Sequence, residues 1–150
     1  MKNIMLSLVL AAVSLSAVAQ SKISPDDIIG VWITGDKSGT IEIYKMPSGR
    51  YSGRIVGNGQ GVADTTDLDK NNPNPALRTR KLVGLDILSG FSCEGDNDWS
   101  GGTIYDPNNG KTYKCLLALD DDGKDKNKLR VRGYIGVSLF GRTDIWTRKP

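Results

Sequence analysis

Ile29-Gly30-Val31-Trp32-Ile33-Thr34 puts a glycine-x-tryptophan at the head of the first strand-like run, and Arg142-Thr143-Asp144-Ile145-Trp146-Thr147-Arg148 puts arginines on the last. A sheet closed on itself must bond its first strand to its last, and a small barrel is filled by its own side chains. An early Gly-x-Trp facing a late arginine is what an eight-stranded barrel needs where those strands meet and one indole plugs the closed end. Gly30, Trp32 and Arg148 are therefore assigned structural roles, the indole closing the floor and the guanidinium stacking over it. Arg142 is the rival for the stacking position. The fold expected is a container.

The residues between these two runs read as strands and almost nothing else. Alternating segments fall at residues 29–34, 40–46, 50–56, 81–89, 101–105, 111–119, 128–135 and 142–148, which makes eight. The period of two is clearest where Leu129, Val131, Gly133 and Ile135 alternate with Arg130, Arg132 and Tyr134, and where Tyr113, Cys115, Leu117 and Leu119 keep the same beat. Pro47-Ser48-Gly49 and Asp106-Pro107-Asn108-Asn109-Gly110 supply the backbone conformations that hairpin loops require. Ser24-Pro25-Asp26-Asp27 has the N-cap serine, first-position proline and early acids of one helical turn ahead of the first strand. The expected architecture is all-β: a single antiparallel up-and-down barrel with a short N-terminal helical turn. Residues 57–80 are long for a hairpin connection, and read either as a lid over one mouth or as a mobile excursion.

Export is written ahead of the barrel. Lys2 precedes an apolar stretch that ends in Ala17-Val18-Ala19, the pattern of a signal peptide spanning residues 1–19. Cleavage there leaves residues 20–150 as one domain of 131 residues, with 19 basic and 17 acidic side chains and a net charge of +2. The expected location is periplasmic or secreted, with no membrane span once the signal is gone. So small a charge argues against nucleic acid as a partner, and a monomer or weak dimer is expected. All 18 glycines lie in the mature part, about twice the average usage, so the core is thin and would benefit from a staple. Cys93 and Cys115 are the two cysteines. In an exported chain they read first as one disulfide, contributing about 3 kcal/mol through loop closure.

The chain contains no histidine. That removes the serine–histidine and cysteine–histidine pairs, histidine-bound zinc or copper, and the commonest general base near neutral pH. Glutamate occurs only as Glu42 and Glu94, and Glu42 alternates with Ile41 and Ile43, so it faces either water or the interior. No catalytic residue and no cofactor are assigned. Asp67-x-Asp69-x-Asn71 has the first three alternating oxygens of a calcium loop, but Asn72 stands in place of the usual glycine and Arg78 in place of the closing glutamate. An Asx-rich turn is the plainer reading, and no metal site is assigned. Arg78, Arg80 and Lys81 bracket the start of the fourth strand, where guanidinium forks could receive an anionic group. Lys128, Arg130 and Arg132 form a stripe that reads as a solvated strand face. Tyr44, Trp99, Tyr105 and Tyr113 offer apolar surface with a polar tip. Together with Arg78 and Arg80 they are the candidate ligand-binding residues.

A family resemblance rests on several motifs together. They are Gly30-x-Trp32, Asp69-x-Asn71-x-Pro73, Leu77-Arg78-x-Arg80-x-Leu82-x-Gly84-Leu85, Trp99-x-Gly101-Gly102-x-Ile104-Tyr105-Asp106-Pro107, Gly110-Lys111-x-Tyr113, Arg132-Gly133-Tyr134-Ile135-Gly136 and Gly141-Arg142-Thr143-x-x-Trp146. In these the chain resembles an uncharacterised bacterial envelope family, domain of unknown function 2147, over nearly all of the mature sequence. The resemblance implies a lipocalin-like or streptavidin-like barrel of the calycin type, exported, with no settled activity or ligand. Three function classes follow as expectations. The first is a binding protein for a small apolar or amphipathic molecule. The second is an envelope interaction or inhibitor protein that engages a protein or glycan through its loops. The third is a histidine-free isomerase or cyclase.

Overall fold

The computed structural model describes residues 22–62, 66–95 and 97–150; the expected signal segment, residues 1–19, lies outside them. Eight antiparallel strands run up and down and close in sequence order into a single barrel. They are β1 (Gly30–Ile33), β2 (Gly39–Lys45), β3 (Tyr51–Asn58), β4 (Asp86–Cys93), β5 (Asp98–Asp106), β6 (Lys111–Asp120), β7 (Asp125–Tyr134) and β8 (Arg142–Arg148). Four single 3₁₀ turns are the only helical elements among the described residues. None of the described helices is long and apolar enough to cross a membrane.

The alternation seen in the sequence becomes an inside and an outside. Ile41 and Ile43 are buried, while Glu42 between them faces outward and pairs with Arg54 at 2.9 Å. Cys115, Leu117 and Leu119 on β6 and Leu129 and Val131 on β7 are buried in the same way. The strands pair in register at Leu117 with Val131 and at Leu119 with Leu129. The large side chains collect toward one end: Ile28, Trp32, Leu88, Phe91, Trp99, Leu119 and Leu129 are all fully buried. Each such burial stabilises the fold by about 1.5–3 kcal/mol. Gly102 is part of this packing, since a Cβ there would lie 2.6 Å from the Phe91 ring.

The packed end is a floor. Ser24 caps the 3₁₀ turn Pro25–Ile28, its hydroxyl accepting from the Asp26 N–H at 3.4 Å while its own N–H donates to Asp27 at 2.7 Å. Two indoles hang from that turn: Trp32 Nε1 donates to the Ile28 carbonyl at 2.9 Å and Trp99 Nε1 to the Pro25 carbonyl at 3.0 Å. The seam is short, with only Trp32 opposite Arg148 and Ile33 opposite Thr147. Arg148 reinforces it. Its guanidinium lies 4.2 Å from the Trp32 ring and donates to the carbonyls of Lys126, Ile29 and Asp27 at 3.0, 2.9 and 2.6 Å. A Cβ on Gly30 would come within 2.6 Å of that guanidinium. Arg142 is at the opposite end of β8 and takes no part in the stack.

Three expectations are corrected. The fourth strand begins at Asp86 rather than at residue 81, because residues 66–85 make a layer of their own. Within that layer Leu68 bridges Lys81 and Leu82 N–H bonds to the Asp67 carbonyl, and the layer is tied to β3 where Gly84 N–H bonds to the Ile55 carbonyl. Strand five begins at Asp98, three residues earlier than expected. Cys93 and Cys115 are both free thiols. Cys93 is on β4 and Cys115 on β6, with β5 between them. Two strand spacings are about 10 Å, beyond the roughly 7 Å over which a disulfide can join two Cα atoms. Burial pushes the Cys115 thiol up to about 12.

Candidate functional site

Above the floor the barrel is hollow. The inward positions of the upper strands carry little volume: Gly39 on β2, Gly57 on β3 and Gly133 on β7 all border a cavity of about 660 Å³. Its lower wall is apolar, formed by Ile41, Ile55, Ile87, Ile104, Val131 and Trp146. Its mouth is formed by the loops joining β1 to β2, β3 to β4, β5 to β6 and β7 to β8. A volume in the range of about 300–1,000 Å³, apolar below and polar at the rim, is the ordinary form of a small-molecule site.

The rim is rich in carboxylates. Asp36, Asp67, Asp106 and Asp144 border the opening, and Arg142 is the cation among the lining residues. Most of these acids are held in place. The Ser38 backbone N–H and the Thr34 hydroxyl donate to Asp36 at 2.9 and 2.7 Å and hold its carboxyl below the usual range. Asp106 accepts from Asn108 N–H and from the Asn109 amide, which also donates to the Tyr113 hydroxyl at 3.0 Å. Asp144 receives the Gly35 N–H at 3.1 Å and the Trp146 indole N–H at 2.8 Å, fixing that indole against the chamber. The Arg142 side chain forms no hydrogen bond or ion pair with the described residues and remains available at the mouth.

The long β3–β4 connection is secured by a buried charge cluster. Asp69 is fully buried, and its carboxylate accepts from Tyr105 Oη at 2.6 Å, from the Asn72 amide at 2.8 Å and from Arg80 Nε at 2.8 Å. Burial alone raises a carboxyl pKa, but these three donors outweigh it and hold Asp69 below its usual value. Tyr105 moves up, from burial and from the carboxylate it serves. Arg78 Nε donates to the Asn72 carbonyl at 2.8 Å, and the Asn71 amide donates to the carbonyls of Pro107 and Asn108. This clamp accounts for the Asp69-x-Asn71 pattern. The Asp69 carboxylate and the Asn71 amide N–H₂ are both engaged by protein partners. The described part of the connection is thus a fixed wall, with Asp67, Leu82 and Val83 lining the chamber.

Of the six candidate ligand-binding residues, the structure brings Tyr105 and Tyr113 to the chamber. The other four lie elsewhere. Tyr44 is on the outer face, under the Arg54 guanidinium at 4.7 Å, with its hydroxyl on Asp86 at 2.9 Å. Trp99 belongs to the floor, and Arg78 and Arg80 belong to the clamp. The residues that sequence reasoning passed over are the small ones. A glycine on the inward beat of a strand marks empty interior, and Gly39 and Gly133 carry that signal, a Cβ at either meeting nothing closer than 3.5 Å. Arg142, assigned to structure, stands at the mouth.

The solved structure of protein HP1028 from the human pathogen Helicobacter pylori, described as belonging to the lipocalin family, is similar to this chain. The TM-score is 0.70 and the identity 27%, over 82% of this chain and 83% of that one. Among curated proteins none matches. The closed eight-stranded order and the lipocalin neighbour agree with the family whose model aligns from Gly30 at the seam to Arg148 across from it. Over residues 30–148 the chain belongs to the family described as "Uncharacterized protein conserved in bacteria (DUF2147)".

Proposed function

We propose that this protein is an exported carrier that holds a small apolar or amphipathic molecule in the chamber, with the expected signal peptide directing it to the periplasm or beyond. The observation that carries this reading is the chamber itself, about 660 Å³ of space open at one end. Its bottom is aliphatic and indole surface and its rim carries polar groups. An apolar body would rest on Ile41, Ile55, Val131 and Trp146, and a polar head would meet the Tyr105 and Tyr113 hydroxyls, the rim carboxylates and Arg142. Hydrophobic burial would supply most of the affinity, at about 25 cal/mol per Å² of apolar surface covered.

The test is native mass spectrometry of protein recovered from its own envelope, followed by organic extraction, with titration of the apolar fluorescent probe N-phenyl-1-naphthylamine alongside. A retained small molecule, or saturable binding of the probe, supports the reading. Gly133→Leu is the informative variant. A Cβ at Gly133 has only ordinary contacts, 3.5 Å from Ile104 and 3.7 Å from Tyr113, so the added isobutyl group occupies the chamber with little strain in the wall. Probe affinity should fall about tenfold while the protein stays folded. Unchanged affinity in that variant would place the probe elsewhere and overturn the reading.

A further inference from the structure

The loop from β7 to β8 concentrates exposed apolar side chains at the chamber mouth. Ile135, Val137, Leu139 and Phe140 are 73%, 59%, 77% and 80% exposed, and no charged residue occurs between Arg132 and Arg142. The loop is braced. Arg132 donates from its guanidinium to the Ser138 carbonyl at 2.8 Å, the Leu139 carbonyl at 3.1 Å and the Thr143 hydroxyl at 2.7 Å. Gly141 N–H closes a turn on the Ser138 carbonyl at 3.1 Å. Phe140 N–H likewise bonds to the Val137 carbonyl at 3.3 Å, so the turn at the tip is held while its apolar side chains face outward. Ile135 and Phe140 also line the chamber, so the tip and the cavity are continuous.

Cations flank the tip. Arg142 follows it directly, and Lys114 lies across from Tyr134 on the neighbouring strand; neither forms an ion pair with the described residues. Of the carboxylates at this mouth, Asp36, Asp106 and Asp144 are taken up by the protein's own donors, whereas the two cations have no such partner; an uncharged apolar tip beside them is complementary to an anionic bilayer, whose acyl boundary takes the one and whose headgroups take the other. A protein partner is less well matched, because a tip of four side chains falls short of the roughly 800 Å² per partner of a stable interface. We propose that the β7–β8 loop docks the mouth of the barrel onto an anionic membrane surface, so that an apolar molecule can pass between bilayer and chamber without crossing water. The docking stands on the loop alone; the transfer rests on the carrier reading above.

Flotation of the full chain with phosphatidylglycerol–phosphatidylethanolamine vesicles, and separately with phosphatidylcholine vesicles, tests the docking. Wild-type protein should float with the anionic vesicles and be released by salt. The paired variant Val137→Asp with Leu139→Asp changes two exposed side chains that do not line the chamber. It should lower the bound fraction about tenfold while thermal stability and probe binding without vesicles stay unchanged. The proposal is overturned if the wild type stays in the aqueous fraction with both vesicle types, or if the paired variant floats as well as the wild type. It is also overturned if the wild type is a dimer that the paired variant dissolves, which would assign the tip to a second copy of the chain. Loss of probe binding with flotation intact would instead remove the carrier reading and leave the docking in place.

Discussion

Asp69 has the most demanding environment of any single residue described, a fully buried carboxylate that the fold has surrounded with donors. Asp69→Asn keeps the shape, but it leaves Arg80 without its counter-charge and sets an amide N–H₂ where three donors converge. Removing one member of a buried pair costs about 3–5 kcal/mol. Because the Arg80 side chain is 36% exposed, solvent screening brings the expected cost below that range, to about 2–3 kcal/mol in urea unfolding. The pH dependence has a definite sign. The folded-state pKa of Asp69 is depressed, so its contribution is fully present above the ordinary carboxylate value near about 4 and is lost as pH falls through the folded value. Stability of the wild type should therefore decline more steeply on acidification than that of the Asn variant; parallel acid limbs would be the contrary result. Cys115 makes a separate prediction. As a buried thiol pushed up to about 12, it should resist iodoacetamide at mildly alkaline pH in the folded protein and react once the chain is unfolded. Failure to react even when unfolded would mean the two cysteines are joined. In the sequence, Asp69 looked like a possible cation ligand because spacing records which oxygens alternate and not which donors the fold brings to meet them. Tyr105 and Arg80 reach it only after 36 and 11 residues of chain have been folded.

At the scale of elements, the seam between β1 and β8 is the weakest join in the barrel, with two residue pairs and one further backbone bond from Lys149 N–H to the Val31 carbonyl at 2.8 Å. Arg148 ties both strands and the N-terminal turn together. Its replacement by alanine removes three charge-assisted hydrogen bonds and a stacked cation, and a loss of about 2–3 kcal/mol is expected in urea unfolding. Arg148→Lys should recover little, since one ammonium cannot span the carbonyl on β7 and the two at the N-terminal turn. The Lys149 amide should exchange faster with solvent in both variants, which distinguishes loosening at the seam from general destabilisation; unchanged exchange there would show that the strands hold without the guanidinium. These elements were readable from the sequence because local rules govern them. Period-two alternation and turn residues gave eight strands, and an early Gly-x-Trp with a late arginine pointed to the closure. β4 was misplaced for an equally physical reason. Residues 81–85 alternate like a strand, yet their backbone bonds go to Asp67 in the long connection and, at Gly84 and Leu85 alone, to Ile55 on β3.

For the whole molecule, the division into a packed floor and an empty upper half follows from where bulk is spent along the strands. Trp32, Trp99 and Phe91 fill one end, and the glycines of the other leave the chamber. Fold class follows from the pattern of polar and apolar residues, whereas a cavity depends on the volume left over after every inward side chain has been placed. That is why the barrel was legible in the sequence while four of six candidate site residues fell outside the chamber. The arrangement also gives the protein its own reporter. Trp32 and Trp99 are sealed into the floor with their indole N–H groups on backbone carbonyls, while Trp146 borders the chamber. A ligand entering the chamber should therefore change the emission of Trp146 and leave the floor indoles nearly unaffected. Trp146→Phe should abolish most of the signal while keeping probe affinity within about threefold, because phenylalanine retains the apolar surface though not the bond to Asp144. A ligand-induced change that persists in Trp146→Phe, and is lost in Trp99→Phe, would place the ligand at the floor and contradict the division of the barrel on which the carrier reading stands.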